Sequence, residues 1–257
     1  MGLGPLTIHY YALCILVGVF IALIVGRSRY AAMGGDSDEI IDCAIVAIPA
    51  GITGGRLYHL ITSPDQYFGA SGHPLDALKI WDGGMGIWGA IALGTLAAWL
   101  IFRRKSRTLP FAAFLDALAP GLLLAQGIGR FGNWFNGELF GGPSKLPWAL
   151  EIPLHLRPAG YESYQTFHPT FLYEALWCFA SAAVLIWVGQ RFHLERGSLF
   201  LAYVAIYCLG RLWIEALRID SAHRIFGLRI NEWVSCIGLV LSMFMLLRRR
   251  SPSSGDD

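Results

Sequence analysis

Residues 8–25 read IHYYALCILVGVFIALIV, with no Asp, Glu, Lys or Arg, and the first arginine or lysine of the chain, Arg27, comes after them. A helix crosses about 30 Å of hydrocarbon in about 20 residues, so this run is long enough to span a bilayer. A cleavable signal peptide carries its positive charge before the apolar core and a small-residue cleavage site after it. Here that order is reversed, and the run is read as a retained first span.

The rest of the chain follows the same pattern. Of 257 residues 55% are hydrophobic and only 15% charged, where a soluble domain carries about 25% charged residues; the mean hydropathy is +0.50. Apolar stretches at 8–26, 40–61, 84–102, 112–135, 169–189, 198–217 and 232–247 predict an all-α polytopic membrane protein with seven transmembrane helices. We expect one transmembrane domain over 1–250. Its loop at about 136–168 carries Trp148, Leu150, Ile152 and Tyr161 and is expected to pack on the membrane surface. Residues 251–257 read as a disordered cytoplasmic tail. The five cysteines stand singly in apolar stretches, as small buried hydrophobes rather than metal or disulfide sites.

The net charge of +2 matters less than where the charges fall. With seven spans, Arg27, Arg29, Arg103, Arg104, Lys105, Arg107, Arg191, Arg196, Arg248, Arg249 and Arg250 fall on one side. Lys79, Lys145, Arg157, Arg218, Arg224 and Arg229 fall on the other. The positive-inside bias then places the C-terminus in the cytoplasm and the N-terminus outside.

Arg56, Arg130 and Arg211 remain, within spans or near their ends. An arginine at the bilayer centre costs about 2.5–3.5 kcal/mol even on the gentler insertion scale, so it faces the protein interior or a wet cavity. The bland alternative is an ion pair that only ties helices together. In Gly127-Ile128-Gly129-Arg130-Phe131-Gly132-Asn133-Trp134-Phe135-Asn136-Gly137-Glu138, the residues Gln126, Arg130, Asn133 and Gly137 share one helical stripe. The glycines admit a close neighbour or ligand. Arg130 with Asn133 and Asn136 is a donor set suited to phosphate oxygens. Asp116, 14 residues before Arg130 and about 21 Å away along a helix axis, cannot pair with it and is expected to serve another helix.

A second face carries Tyr207, Arg211, Glu215 and Arg218, spaced i, i+4, i+8 and i+11. Arg211 and Glu215 can pair, and the net positive end suits an anionic head group. Arg56, in Gly54-Gly55-Arg56-Leu57-Tyr58-His59, falls toward the outer end of the second span. His168-Pro169 opens the fifth span, with Glu174 about a turn inside the membrane, where it needs a basic partner. His9, Tyr10 and Tyr11 open the first span, where the simplest reading is an interfacial aromatic belt.

These segments together resemble the prolipoprotein diacylglyceryl transferase family, from His9 to near Trp233. The most specific element is the run from Gly129 to Gly141, GRFGNWFNGELFG. Trp81-Asp82-Gly83-Gly84-Met85, His168-Pro169 with Leu172-Tyr173-Glu174, and the Tyr207/Arg211/Glu215/Arg218 ladder support it. The resemblance implies seven spans and a reaction at the outer face of the bacterial cytoplasmic membrane. Phosphatidylglycerol donates its diacylglyceryl group to the lipobox cysteine of a preprolipoprotein signal peptide, forming a thioether and releasing glycerol phosphate, the first step of lipoprotein maturation. It also implies an essential arginine at Arg130 and functional residues at Tyr11, Asn133, Glu138, Gly141 and Arg211. Arg130 and Arg211 are expected to clamp the phosphate, with Glu138 or His168 taking the thiol proton and Asn136, Arg56, Tyr207, Glu215 and Arg218 assisting binding. The chain departs from the family at Trp88, where many members have a histidine often proposed as the base. Tryptophan cannot accept a proton.

Other classes fit less well. The only lysines are Lys79, Lys105 and Lys145, none in the last span, which excludes a retinal Schiff base there. A small-solute transporter would show repeated halves with broken helices, and no such symmetry is visible. A lipid-binding protein with impaired catalysis is the remaining alternative, and Trp88 is the residue that favours it. No nucleotide-binding or paired metal-ligand motif occurs, so no cofactor, metal or nucleic-acid partner is inferred.

Overall fold

The computed structural model describes residues 10–69, 72–80, 83–105, 108–220 and 224–249 in full, with the backbone alone of 2–3 and 6–7. His9, Trp81, Asp82, Arg107, Arg250 and the tail at 251–257 lie outside the described residues. Among the described residues seven helices are long and apolar enough to cross a membrane: α1 (Tyr10–Ala32), α2 (Asp38–Thr62), α4 (Ile87–Lys105), α5 (Phe111–Asn136), α6 (Thr170–Arg191), α7 (Ser198–Leu217) and α8 (Ile230–Arg249). A short α3 (Asp65–Phe68) follows α2. The small strands pair locally as antiparallel hairpins: β1 (Gly2–Leu3) with β2 (Leu6–Thr7), β3 (Leu150–Glu151) with β4 (Thr166–Phe167), and β5 (Arg224–Ile225) with β6 (Leu228–Arg229).

All seven expected spans are present, and the differences lie at their ends. α1 runs past the apolar stretch through Arg27 and Arg29, because nothing stops a helix there until Gly34 turns the chain at φ +88°. α4 starts three residues later than expected, since Gly83 and Gly84 adopt positive φ before it. The helices carry large apolar side chains on their outer faces, such as Leu16, Phe20, Ile61 and Val240. In water such surface would drive association; against lipid it is the expected covering. The chain is a multi-pass membrane protein.

The chain divides into two compact units, Tyr30–Phe114 and the remainder. In the first, α2 and α4 cross on small residues. Gly55 O accepts the Gly86 amide at 2.8 Å, and a methyl on Gly54 would meet the Gly89 carbonyl and Leu93 Cβ, the latter at 2.6 Å. Without a hydrophobic drive between helices in lipid, such close backbone contact supplies the association energy. At the other end of this unit the Tyr30 hydroxyl donates to Glu39 at 2.7 Å, and Phe102, Phe111 and Phe114 stack together.

In the larger unit, Ala119, Leu123, Cys178, Ala182, Leu185 and Leu199 form the buried core of α5, α6 and α7. Gly18 faces Ala125 and Gly121 faces Ala22, which brings α1 onto α5. Asp116 serves another helix, as expected: its carboxylate accepts the Gly197 amide at 2.5 Å and the Phe200 amide at 2.8 Å, capping α7. The first amides of a helix lack internal partners, and a carboxylate there also complements the helix dipole.

Replacing Gly54 by Leu should force α2 and α4 apart and lower the thermal unfolding midpoint in detergent. Overpacking of this kind costs about 1–3 kcal/mol. Gly51→Ala, whose methyl would meet Ala90 O at 3.4 Å, should leave the midpoint close to that of the parent protein.

Candidate functional site

At one end of the larger unit, the last turns of α5 and α7 meet the first turns of α6 and α8. Glu174, on the second turn of α6, lies between two arginines from different helices. Its Oε1 is 2.9 Å from Arg130 Nη2 and 3.3 Å from Arg211 Nη1. Arg211 Nη2 reaches on to Glu215 Oε2 at 2.9 Å, one turn along α7. Glu215 is 1% exposed. It also takes Arg218 Nη1 at 3.4 Å, Arg229 Nη1 at 2.8 Å and the Asn231 amide at 3.3 Å.

The chain of charges closes on Asp220. Arg218 presents Nε and Nη2 to its two oxygens at 2.8 and 3.1 Å, while Arg229 donates to its backbone and side-chain oxygens. Burial alone would raise the Asp220 carboxyl, but the hydrogen bonds and charges of Arg218 and Arg229 hold it below the usual carboxylate value. Four guanidinium groups thus face three carboxylates directly, and a fourth carboxylate, Glu138, joins Arg130 through Asn133. Arg218 and Arg229 are buried, whereas the Arg130 and Arg211 side chains keep 20% and 14% exposure. Arg130 and Arg211 are thus the more accessible arginines of the network, and the Nε of each has no hydrogen-bond partner among the described residues.

A polar arm extends from Arg130. Its Nη1 approaches Asn133 Oδ1 at 3.4 Å, Asn133 donates to Glu138 Oε1 at 3.0 Å, and Asn136 donates to the same oxygen at 3.1 Å. The chain leaves α5 through Gly137 and Leu139, both at positive φ, which turns Glu138 back toward the asparagines. Leu139 is an uncommon residue for that conformation; its carbonyl is held by the Thr170 hydroxyl. His168 lies beside this arm's return path, with its Nδ1 3.1 Å from the Tyr173 hydroxyl, which also accepts from Trp148 Nε1 at 3.1 Å.

A family model described as prolipoprotein diacylglyceryl transferase matches residues 1–248. The chain belongs to that family. Among its relatives is the phosphatidylglycerol–prolipoprotein diacylglyceryl transferase of Cutibacterium acnes, 53% identical over 250 residues, covering 96% of this chain and 84% of the relative. A second enzyme so named, from Streptomyces coelicolor, is 53% identical over 237 residues, covering 92% and 74% of the two chains. The one from Corynebacterium efficiens is 49% identical over 268 residues, covering 99% and 83%.

Of the residues that the family resemblance singled out, the structure brings Arg130, Arg211, Asn133, Asn136, Glu138 and Glu215 into one connected cluster. Glu174 has the basic partners its depth required, and Arg211 and Glu215 pair as their spacing suggested. Tyr207 lies one turn before Arg211 and stacks on Tyr203. Tyr11 packs on Gly132, where a methyl would come within 2.5 Å of its ring, and Tyr10 stacks on Phe135. Gly132 thus receives an aromatic ring, as does Gly127 from Phe179, while Gly129 faces Ile15 and Gly137 faces Leu156.

Three expected binding residues have other tasks. Arg218 is held by Asp220 and Glu215. Arg56 donates to the carbonyls of Asp76, Ala77, Gly83 and Gly84 and lies over the Tyr67 ring, so it latches the segment between α2 and α4. Gly141 is a joint: its amide donates to His168 O at 2.9 Å, and a methyl there would press on His168, Leu217 and Thr170. The loop at 136–168 is also more than a surface strip, because Phe140, Ile152 and Phe167 give it a small core of its own.

Arg229, Asp220 and Asn231 belong to the network but read as ordinary loop or helix-end residues in the sequence. Arg229 sits 14 residues from Glu215, and only the fold-back through the β5–β6 hairpin unites them. Their one sequence signal was an excess of charge beside an intramembrane glutamate. Among the described residues no cluster of three or more His, Cys, Asp or Glu could hold a metal ion.

Glu174→Gln should lower the thermal unfolding midpoint sharply, since removing one partner of a buried ion pair costs about 3–5 kcal/mol. Glu138→Gln, which alters an exposed carboxylate, should move the same midpoint little.

Proposed function

We propose that this chain transfers the diacylglyceryl group of phosphatidylglycerol to the lipobox cysteine of preprolipoproteins, with Arg130 and Arg211 clamping the phosphate. The convergence of both arginines on the one carboxylate of Glu174 carries this reading. A phosphodiester entering from lipid offers a further anion to this pair, and the unengaged Nε groups can donate to its oxygens bidentately with the neighbouring Nη.

In the reaction, the cysteine Sγ forms a bond to the glyceryl methylene carbon next to the phosphate. The C–O bond to phosphate breaks, and its electron pair leaves on the phosphate oxygen as glycerol phosphate. The thiol proton goes to a base, Glu138 or His168. Two effects favour the step. A free thiol with pKa about 8.5 is only about 3% thiolate at pH 7, and nearby guanidinium groups raise that fraction. The larger barrier is expelling the phosphate, and arginines aimed at its oxygens stabilise the charge that grows there. Glu138 is presented by two asparagine amides at the open end of the arm. His168, tied to Tyr173, can relay a proton between its ring and that hydroxyl.

The bias of basic residues toward one set of loops supports an active site on the external side of the bacterial cytoplasmic membrane, with the C-terminus inside. Trp88, on α4 and 41% exposed, has an indole N–H that donates but cannot accept the thiol proton, which leaves base catalysis to other side chains.

The deciding experiment incubates purified protein with phosphatidylglycerol and a cysteine lipobox peptide and weighs the peptide by mass spectrometry. A diacylglyceryl mass on the cysteine is expected; an unmodified peptide would refute the activity. Arg130→Ala should lower transfer by about 10²–10³-fold or more, the usual effect of removing one transition-state donor, while keeping a cooperative thermal transition. Parent-level turnover in that variant would remove the clamp from the mechanism. Trp88→Phe should keep most of the activity.

A further inference from the structure

A second polar feature of the larger unit lies at the opposite end of its helices. A cleft of about 250 Å³ between the last turns of α1 and α6 is lined by Ile24, Val25, Ser28, Arg29, Ile186 and Gln190. Arg29 reaches from α1 across to α6, where its Nη2 lies against Gly189; a methyl on that glycine would come within 3.0 Å of it. Its Nε is buried without a hydrogen-bond partner among the described residues. The carboxylate that acts on Arg29 through space is Asp116, but both Asp116 oxygens already accept amides at the start of α7. Arg29 is therefore a half-buried cation that makes no direct ion pair among the described residues.

The lining is graded along the helix axes. Ser28, Arg29 and Gln190 stand at the mouth, near the helix ends, whereas Ile24, Val25 and Ile186 lie about a turn deeper. This polar-to-apolar order matches a phospholipid with its head at the surface and its chain inside. Depth agrees. Tyr11, which packs on Gly132 in the signature, precedes Arg29 by 18 residues, or about 27 Å of helix. That is close to the thickness of the hydrocarbon core. The cleft therefore lies level with the head groups of the opposite leaflet from the Arg130 network.

We infer that this cleft is a binding site for an anionic glycerophospholipid of that opposite leaflet, with Arg29 on its phosphate and an acyl chain along Ile24 and Ile186. A net negative head group is favoured because Asp116, held by the α7 amides, reaches Arg29 only through space, and Arg191 follows Gln190. Such a lipid would tie α1 to α6, the two helices that present Tyr11 and Glu174 at the far end. It takes no part in transfer, so it is tested separately from the activity.

Native mass spectrometry of the full chain released from detergent, titrated with phosphatidylserine, provides the test. The parent protein should retain one more tightly bound phosphatidylserine than Arg29→Gln, and the two should retain phosphatidylcholine equally. Lipid held at the Arg130 network is common to both and cancels. Ile186→Trp fills the cleft while leaving Arg29 in place, and should lose the same one lipid; it decides the matter alone if Arg29→Gln does not fold. Equal phosphatidylserine counts in the parent and the folded variant would overturn the site. The same loss with phosphatidylcholine would overturn its anionic preference and reduce Arg29 to a partner of the helix ends.

Discussion

The shared carboxylate of Glu174 is the constraint on which the larger unit depends. Two arginines on different helices, Arg130 and Arg211, cannot enter a low-dielectric interior without a counter-charge, because each loses its hydration on the way in. Glu174 supplies that charge to both at once. In doing so it draws the end of α5, the start of α6 and the end of α7 to one place. Glu215 repeats the device one turn further along α7, drawing in α8 through Arg229 and Asn231.

Such a network is a compromise between stability and readiness. Complete neutralisation would leave the arginines with nothing to offer a substrate, and complete exposure would not survive in lipid. The cluster lies between these limits. Its inner half centres on Glu215, which is buried and takes Arg211, Arg218, Arg229 and Asn231, whereas its outer half keeps unengaged donors on Arg130 and Arg211. A phosphodiester completes the outer half without disturbing the inner one. The transition state gains most from donors that are already oriented, since no reorganisation is then needed as charge develops.

Identical residue types have different fates in this chain, and geometry separates them. Arg56 and Arg130 both sit in glycine-containing helical segments near a membrane end. Arg56 meets a ring of backbone carbonyls and becomes a latch for the segment that follows α2. Arg130 meets a carboxylate and amides and keeps a donor free. Likewise Gly132 accepts an aromatic ring, while Gly141 allows three chain segments to press together.

Composition and periodicity determined much by themselves. Seven apolar stretches of spanning length dictate seven helices, because in hydrocarbon the backbone must satisfy its own hydrogen bonds. The cost of an intramembrane charge marked Arg130, Arg211 and Glu174 in advance, and helical spacing paired Arg211 with Glu215, since those facts are local to one helix. The tertiary structure alone decided which arginines remain available. Arg56 is engaged by carbonyls of the segment that follows α2, Arg218 turns to Asp220 just beyond the end of α7, and Arg229 enters the site only when the β5–β6 hairpin folds back. Spacing along one helix cannot express such meetings, because they depend on which distant segment arrives to satisfy each buried charge.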